Sequence, residues 1–228
     1  MNLSSLKLGM NSSFELLEAL KRAGYDATER DPFWWPHSGA YEVIIGAILT
    51  QQAKWEKVEN SLNNLQQANL LSLETLANTP IEVIAHYIKP SGFYNTKAKN
   101  IQKLSVNILN EFGDFSSFKE SVSREWLLAQ KGVGEETADG ILCYGCLKEA
   151  MVVDSYTHRL LSHYGFSFES YGEIQEWLIE GIDDKKIEKL YGRSLTRTEV
   201  YARFHGKIVM FCKEKMRGKV VKEGIPGI

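Results

Sequence analysis

The chain has 228 residues, 43% of them apolar and 25% charged, with a net charge of −2. Those values exclude a disordered or low-complexity chain, and the length suits one large domain or two small ones. Near-neutrality excludes a surface basic all over, so phosphate contacts must come from a local basic patch or from backbone N–H groups at helix N-termini. Three cysteines, an odd number, fit no disulfide framework and point to a reducing cytoplasm. The longest strongly apolar run, Val43 to Leu49, is too short to span a bilayer. Met1 to Leu20 holds no continuous apolar stretch before a small-residue cleavage site, so no secretory leader is expected.

The pattern reads as nearly all helix. Phe14, Leu17 and Leu20 line one face of a short first helix. Pro32 and Pro36 bracket an aromatic loop, Phe33-Trp34-Trp35. Tyr41 to Leu49 is apolar almost all round, as in a buried helix, and Gln51 to Gln67 continues amphipathically through Val58, Leu62 and Leu65. Ser72 has the character of an N-cap, and Pro80 opens another helix at its first turn. Pro90-Ser91-Gly92 is a break, after which Lys97 to Phe112 is amphipathic. Ser121–Gln130 and Glu135–Leu147 are two helices separated by Lys131-Gly132-Val133-Gly134. Val152-Val153 is too short for a strand assignment. Helical periodicity returns at Tyr156–Tyr164, at Tyr171–Ile182 and most strongly at Thr198–Met216, and Gly218 to Ile228 reads as a poorly ordered tail.

Helix, Gly132-x-Gly134, helix is the first feature with chemistry in it. Two glycines let the chain reverse in four residues, and the next helix then offers free N–H groups and the positive end of its dipole to one phosphate. The same spacing also serves a plain helix–helix connection with a glycine C-cap. The wider context decides between them. Trp126 through Asp139, which contains Gly132-Val133-Gly134-Glu135-Glu136-Thr137, is followed twenty residues after the hairpin by Asp154. This resembles the helix-hairpin-helix plus aspartate signature of the endonuclease III superfamily of DNA glycosylases. Leu49-Thr50-Gln51-Gln52-Ala53 resembles that family's helix end with an intercalating glutamine, and Ser91-Gly92-Phe93-Tyr94-Asn95-Thr96-Lys97-Ala98 resembles its Tyr-Asn-x-Lys-Ala segment. The matches are ordered and run from about Tyr41 to Leu161.

Three departures refine the resemblance. The hairpin position that carries a lysine in the bifunctional glycosylase/lyases is Glu136. A carboxylate cannot form a Schiff base with the sugar, so no lyase step is expected. The family's C-terminal four-cysteine loop is missing, so no iron–sulfur cluster and no metal are expected; Cys143 and Cys146 read as small buried apolar residues. The family's Asp-Thr-His is Asp154-Ser155-Tyr156. A chain without cluster and lysine resembles the superfamily's 3-methyladenine glycosylases, and Trp34, Trp35, Pro36 and Trp55 resemble that subgroup's base pocket. The last helix, Tyr201 to Lys207, fits as well.

Physical reasoning accompanies the resemblance. A duplex base is reached only by flipping, and the pocket then holds it by stacking. N-alkylated purines are cationic, and electron-rich indoles attract cations by ~0.5–2 kcal/mol per well-placed ring. The charge makes the base a good leaving group, so one carboxylate, Asp154, suffices to stabilise the sugar cation or orient water. Each of these residues also has a plain structural reading. The tryptophans suit a core, Asp154 an N-cap (it can do both jobs), and Gln52 an exposed helix end. Lys97, Lys99 and Lys103 suit either a basic DNA-facing side or a solvated helix surface. Glu136 suits either the pocket or an exposed position.

The expected architecture is an all-α, two-lobed helix-hairpin-helix glycosylase fold. A central bundle covers 35–148, and 1–34 joins 149–228 in a second lobe. Asp154 and the tryptophans Trp34 and Trp55 are expected to face a cleft between the lobes. The expected function is that of a monofunctional, monomeric, cytoplasmic enzyme that excises alkylated purines from double-stranded DNA. The competing expectations are a glycosylase for oxidised or mismatched bases and a non-catalytic hairpin protein that only binds DNA. Lys207 stands beside the apolar stripe of the last helix. It either snorkels to water or, if buried, must be paired, neutral or modified, for instance by carbamylation that lets it tie to Arg203.

Overall fold

A computed structural model of the chain describes residues 10–25, 32–218 and 220–228. Parts of the expected second lobe, at 1–9 and 26–31, and position 219 of the expected tail lie outside the described residues. The fold is all-α. In chain order the α-helices are α1 (Ser13–Arg22), α2 (Tyr41–Leu49), α3 (Trp55–Gln67), α4 (Leu73–Asn78), α5 (Ile81–Tyr87), α6 (Tyr94–Phe112), α7 (Phe115–Ser121), α8 (Arg124–Leu128), α9 (Glu135–Gly140), α10 (Ser155–His163), α11 (Tyr171–Glu180), α12 (Asp184–Tyr191) and α13 (Arg197–Lys215). A 3-10 turn spans Lys89–Ser91, and α9 runs on into a π-helical turn, Ile141–Gly145.

The chain divides into two compact units, Met1–Trp35 with Glu149–Ile228, and Pro36–Lys148. In the unit Pro36–Lys148, α6 is the spine, with α2, α4, α5 and α7 packed against it. Its apolar stripe Ile101, Leu104 and Ile108 is buried, as is almost all of α2. Ser72 caps α4 through a capping box closed by Thr75, which satisfies N–H groups that a helix start leaves open. In the other unit α13 is the spine, and α1 and α10 pack on it. Phe204, Ile208 and Phe211 of α13 meet Leu16, Leu20, Leu160 and Leu161 in one core. Each such side chain, fully buried, contributes roughly 1.5–3 kcal/mol.

Four expectations need correction. The region expected to be one helix, Ser121–Gln130, holds only the short α8, because α7 ends at Ser121 and Ser123 caps a new helix by accepting from the Trp126 N–H. The helix expected from Gln51 begins at Trp55, since Gln52 takes a left-handed φ of 52° that no helix interior contains. Helix α12 was not expected at all. Its strongly charged composition leaves only Ile187 buried, yet Asp183 caps it and Gly192 ends it in the left-handed conformation. Finally, the segment read as a loose tail is folded: Met216–Arg217 pairs antiparallel with Val220–Val221, and Val221 and Ile225 are buried.

Lys207 is fully buried in α13, so it does not snorkel. Its Nζ donates to the Tyr25 carbonyl at 2.9 Å and lies 5.8 Å from the centre of the Tyr191 ring, which Arg203 approaches to 6.0 Å.

Candidate active site and nucleic-acid interface

Within Pro36–Lys148, three surface turns converge on α6. The hairpin Lys131–Gly134 is the first. Gly132 has φ 83°, and a Cβ there would overlap the amide of Asn100 on α6, so only glycine fits. Gly134 is the N-cap of α9, and Glu135 and Glu136 occupy its first turn, both exposed. The side chain of Val133 is buried and its N–H is spent on the Gln130 carbonyl. Val133 therefore braces the hairpin from inside and does not offer its N–H to DNA. Arg124 of α8 forks onto the buried carboxylate of Asp139 in α9, at 2.8 and 3.1 Å, and fixes the angle between the hairpin's helices. Arg124 also stands 3.6 Å from Glu135.

The second turn follows α2. Gln51 donates through its side-chain amide to the Gly132 carbonyl at 2.9 Å and to Thr137 Oγ1 at 3.0 Å, which ties this turn to the hairpin. Thr137 is buried and serves as this anchor. Gln52, at positive φ, is exposed beside it. The third turn ends at Phe93, which caps α6 with φ 46° and is 67% exposed, the most exposed large apolar side chain among the described residues. The sequence placed Phe93 in the glycine–aromatic segment before α6 without giving it a role of its own.

Lys97 was expected on a basic face toward DNA. It is 3% exposed, and its Nζ donates to the carbonyls of Leu49 and Ser91, both at 2.8 Å. Burial lowers its pKa from the ordinary 10.5 to about 8. Lys97 falls on the buried stripe of α6 with Ile101, Leu104 and Ile108, whereas Lys99 and Lys103 lie on the exposed face.

Within the other unit, Asp154 is the N-cap of α10. Its Oδ1 accepts from the Thr157 N–H at 2.8 Å and from the Thr157 hydroxyl at 2.9 Å, which leaves Oδ2 turned toward His205 Nε2 at 3.6 Å. Burial pushes the carboxyl pKa up, but His205 and the α10 N-terminus outweigh it and hold the carboxyl below the usual carboxylate range. His205 packs edge-on to Trp34, ring centres 5.6 Å apart. Trp34 has φ 67°, an uncommon conformation for a bulky residue, and its indole lies over Gly206, where a Cβ would overlap it. Trp35 meets Trp34 edge-on at 6.4 Å. Asp154, Trp34, His205 and Gly206 thus form one cluster, and His205 and Gly206 had been read only as part of a helix. Asp154 caps α10 through Oδ1, and its Oδ2 is directed at His205. Pro36 and Trp55, the first residue of α3, belong to the unit Pro36–Lys148, and both are partly buried.

The cysteines do not fit a four-cysteine iron–sulfur site. Cys143 lies in the π-helical turn and Cys146 caps its end, Cys212 lies in α13, and all three are buried. Burial raises each thiol pKa, to about 12 for Cys146 and Cys212, the opposite of what a thiolate ligand needs. Among the described residues no three His, Cys, Asp or Glu side chains gather to hold a metal ion. No described helix is long and apolar enough to cross a membrane.

The family model for HhH-GPD superfamily base excision DNA repair proteins matches residues 45–183, which span the hairpin, the three turns and Asp154. The chain belongs to the HhH-GPD superfamily. It is 36% identical over 200 residues to a candidate DNA repair glycosylase of Methanocaldococcus jannaschii, covering 85% of this chain and 86% of that one. The crystal structure of a 3-methyladenine DNA glycosylase from H. pylori bound to 1,N6-ethenoadenine superposes with a TM-score of 0.86 at 42% identity, covering 91% of this chain and all (100%) of that one. An endonuclease III–DNA complex superposes with a TM-score of 0.69 at 20% identity, covering 91% and 90% of the two chains, and shares the fold. The HhH-GPD chain is therefore a DNA glycosylase of base excision repair, and its partner is DNA.

Proposed function

We propose that the chain is a monofunctional, monomeric glycosylase that releases alkylated purines such as 3-methyladenine from double-stranded DNA, without a metal or iron–sulfur cofactor. The observation that carries this reading is the cluster of Asp154, His205 and Trp34. A carboxyl held below the usual carboxylate range faces His205, which packs against an indole that the backbone places at the cost of a strained φ. Strain of this kind is kept where surrounding structure has a use for it. The relative from H. pylori, solved with a modified purine bound, supports the choice of substrate class.

In the proposed reaction the damaged nucleotide leaves the stack, Gln52 and the exposed ring of Phe93 enter the duplex, and the α9 N-terminus takes a phosphate. Trp34 and Trp35 offer the flipped base their indole rings. The C1′–N bond breaks with its electron pair going to the base, which leaves neutral if it was a cation. Asp154 Oδ2 stabilises the positive sugar and accepts a proton from the water that adds to C1′. Glu136, exposed where an attacking amine would be needed, supports hydrolysis without strand cleavage.

Incubating the protein with methylated DNA and separating the freed bases tests the substrate. Release of 3-methyladenine is expected, and release of only oxidised or mismatched bases from matching substrates would replace the reading. Asp154→Asn is expected to lower release at least ~100-fold, while duplex affinity stays within about threefold. Near-wild-type turnover would reject the role of Asp154. Borohydride is expected to trap no covalent adduct and the product is an intact abasic strand; efficient trapping would identify an amine nucleophile.

A further inference from the structure

The unit Pro36–Lys148 has exposed non-glycine residues at positive φ at His37, Gln52, Asn69 and Phe93, and two of these turns flank α6's buried Lys97. One holds Gln52, φ 52°, and the other Phe93, φ 46°. Left-handed conformations are costly for residues other than glycine, and a turn that contains one relaxes unless its flanks are fixed. The flanks of both are fixed by the same atom. The Nζ of Lys97, buried in the first turns of α6, donates to the carbonyl of Leu49, three residues before Gln52, and to the carbonyl of Ser91, two residues before Phe93. Leu49 is the last residue of α2 and Ser91 the last of the 3-10 turn, so both carbonyls are ones a helix end leaves without a partner. One cation therefore satisfies the ends of two elements at once. Burying an ammonium is unfavourable, and the lowered pKa of Lys97 reflects it. An uncharged side chain would fill the same space without that penalty, but it would leave both carbonyls open.

We propose that Lys97 is a positioning residue for DNA interrogation, setting the spacing and angle between the Gln52 and Phe93 turns so that both side chains enter the duplex together. Gln51 extends the same frame to the hairpin through Gly132 and Thr137, and Asn100, one helical turn after Lys97, packs against Gly132 from below. The turns that probe the stack and the turn that grips a phosphate thus share α6 as a common reference. This inference rests on the reading that Gln52 and Phe93 enter the duplex.

The test uses a duplex with a tetrahydrofuran abasic analogue flanked by 2-aminopurine, whose fluorescence rises when side chains enter and unstack it. At saturating protein Lys97→Met is expected to give at most about a third of the wild-type rise, while affinity by anisotropy stays within about threefold, because two charge-assisted hydrogen bonds to the turns are lost and the hairpin is intact. Lys97→Arg, which restores donors, recovers part of the rise. A Lys97→Met protein that gives the full rise overturns the proposal, and so does one whose rise and affinity fall in parallel. If Lys97→Met does not fold, Lys97→Gln is put through the same comparison. Gln52→Ala and Phe93→Ala separate the two levels: if both keep the full rise, the reading of the turns fails; if they lose it while Lys97→Met keeps it, the clamp alone fails.

Discussion

Gly206 carries no side chain because the Trp34 indole occupies the space. The requirement is steric and local, which makes it a clean handle on the pocket. Gly206→Ala places a methyl group in the ring and displaces it from His205, while alanine in a helix interior favours the helix by ~0.8–1 kcal/mol over glycine. Excision is therefore expected to fall by an amount equivalent to about 1–3 kcal/mol of lost stacking, with thermal stability changed little. Single-turnover rates and a melting curve on the same preparation check this; wild-type rates would place the Trp34 ring outside the pocket. Asp154 was legible in the sequence because it sits at a fixed distance after the hairpin. His205 was not, because a histidine inside a strongly periodic helix looks like every other core position until a neighbouring element brings a carboxylate to it. Lys97 was misread for the converse reason: lysine is the residue that sequence reasoning places outside by default, and the two carbonyls that hold it inside come from segments 48 and 6 residues away.

At the scale of elements, the hairpin is rigid because of a pair that the sequence did not announce. Asp139 is 1% exposed, and both of its oxygens receive the Arg124 guanidinium. Asp139→Asn keeps the shape but removes the charge, and is expected to cost on the order of 1.5–3 kcal/mol, the usual worth of a charged hydrogen-bonded pair. The hairpin angle should loosen with it. Duplex affinity measured against salt is expected to weaken more than melting temperature alone accounts for; a loss of stability with undiminished affinity would mean that the pair holds the core and not the hairpin. Long periodic helices such as α6 and α13 were legible because burial repeats every three to four residues. Helices α7 and α12 were not, and α8 was expected only as part of a longer helix, since five to eight residues give too few repeats and their starts are set by single side-chain caps at Asp114, Ser123 and Asp183. The hairpin glycines stood out because each answers a constraint that no other residue meets.

At the scale of the molecule, the family fold is carried by short motifs spread over 45–183, and the segment after α13 lies beyond that match. That segment was expected to be a poorly ordered tail. Instead it turns back through the Met216–Arg217 and Val220–Val221 pair and docks on α10. The Ile225 N–H donates to the Tyr164 hydroxyl at 2.6 Å, Lys215 pairs with Glu223 at 2.7 Å, and Ile225 itself is 1% exposed. The exposed ion pair is worth at most about 1 kcal/mol, so the buried isoleucine and the hydroxyl bond are the main fastening. Two-residue strands and an isoleucine set between Gly224 and Pro226 carry no periodicity, which is why the sequence reads as a tail. Ile225→Ala is expected to cost about 2–4 kcal/mol, as large-to-small changes in a core do, and to lower the melting temperature by roughly 4–16 °C for a chain of this size. Tyr164→Phe should lose about 1 kcal/mol by itself. Because both substitutions act on one docking contact, the double variant should lose less than the sum of the singles. Proteolysis distinguishes local release from global unfolding: a loosened segment is cleaved near Gly218 at temperatures where α1, α10 and α13 stay intact. An unchanged melting temperature in Ile225→Ala would show that the segment does not hold the unit together, and some other contact of α13 would have to do so.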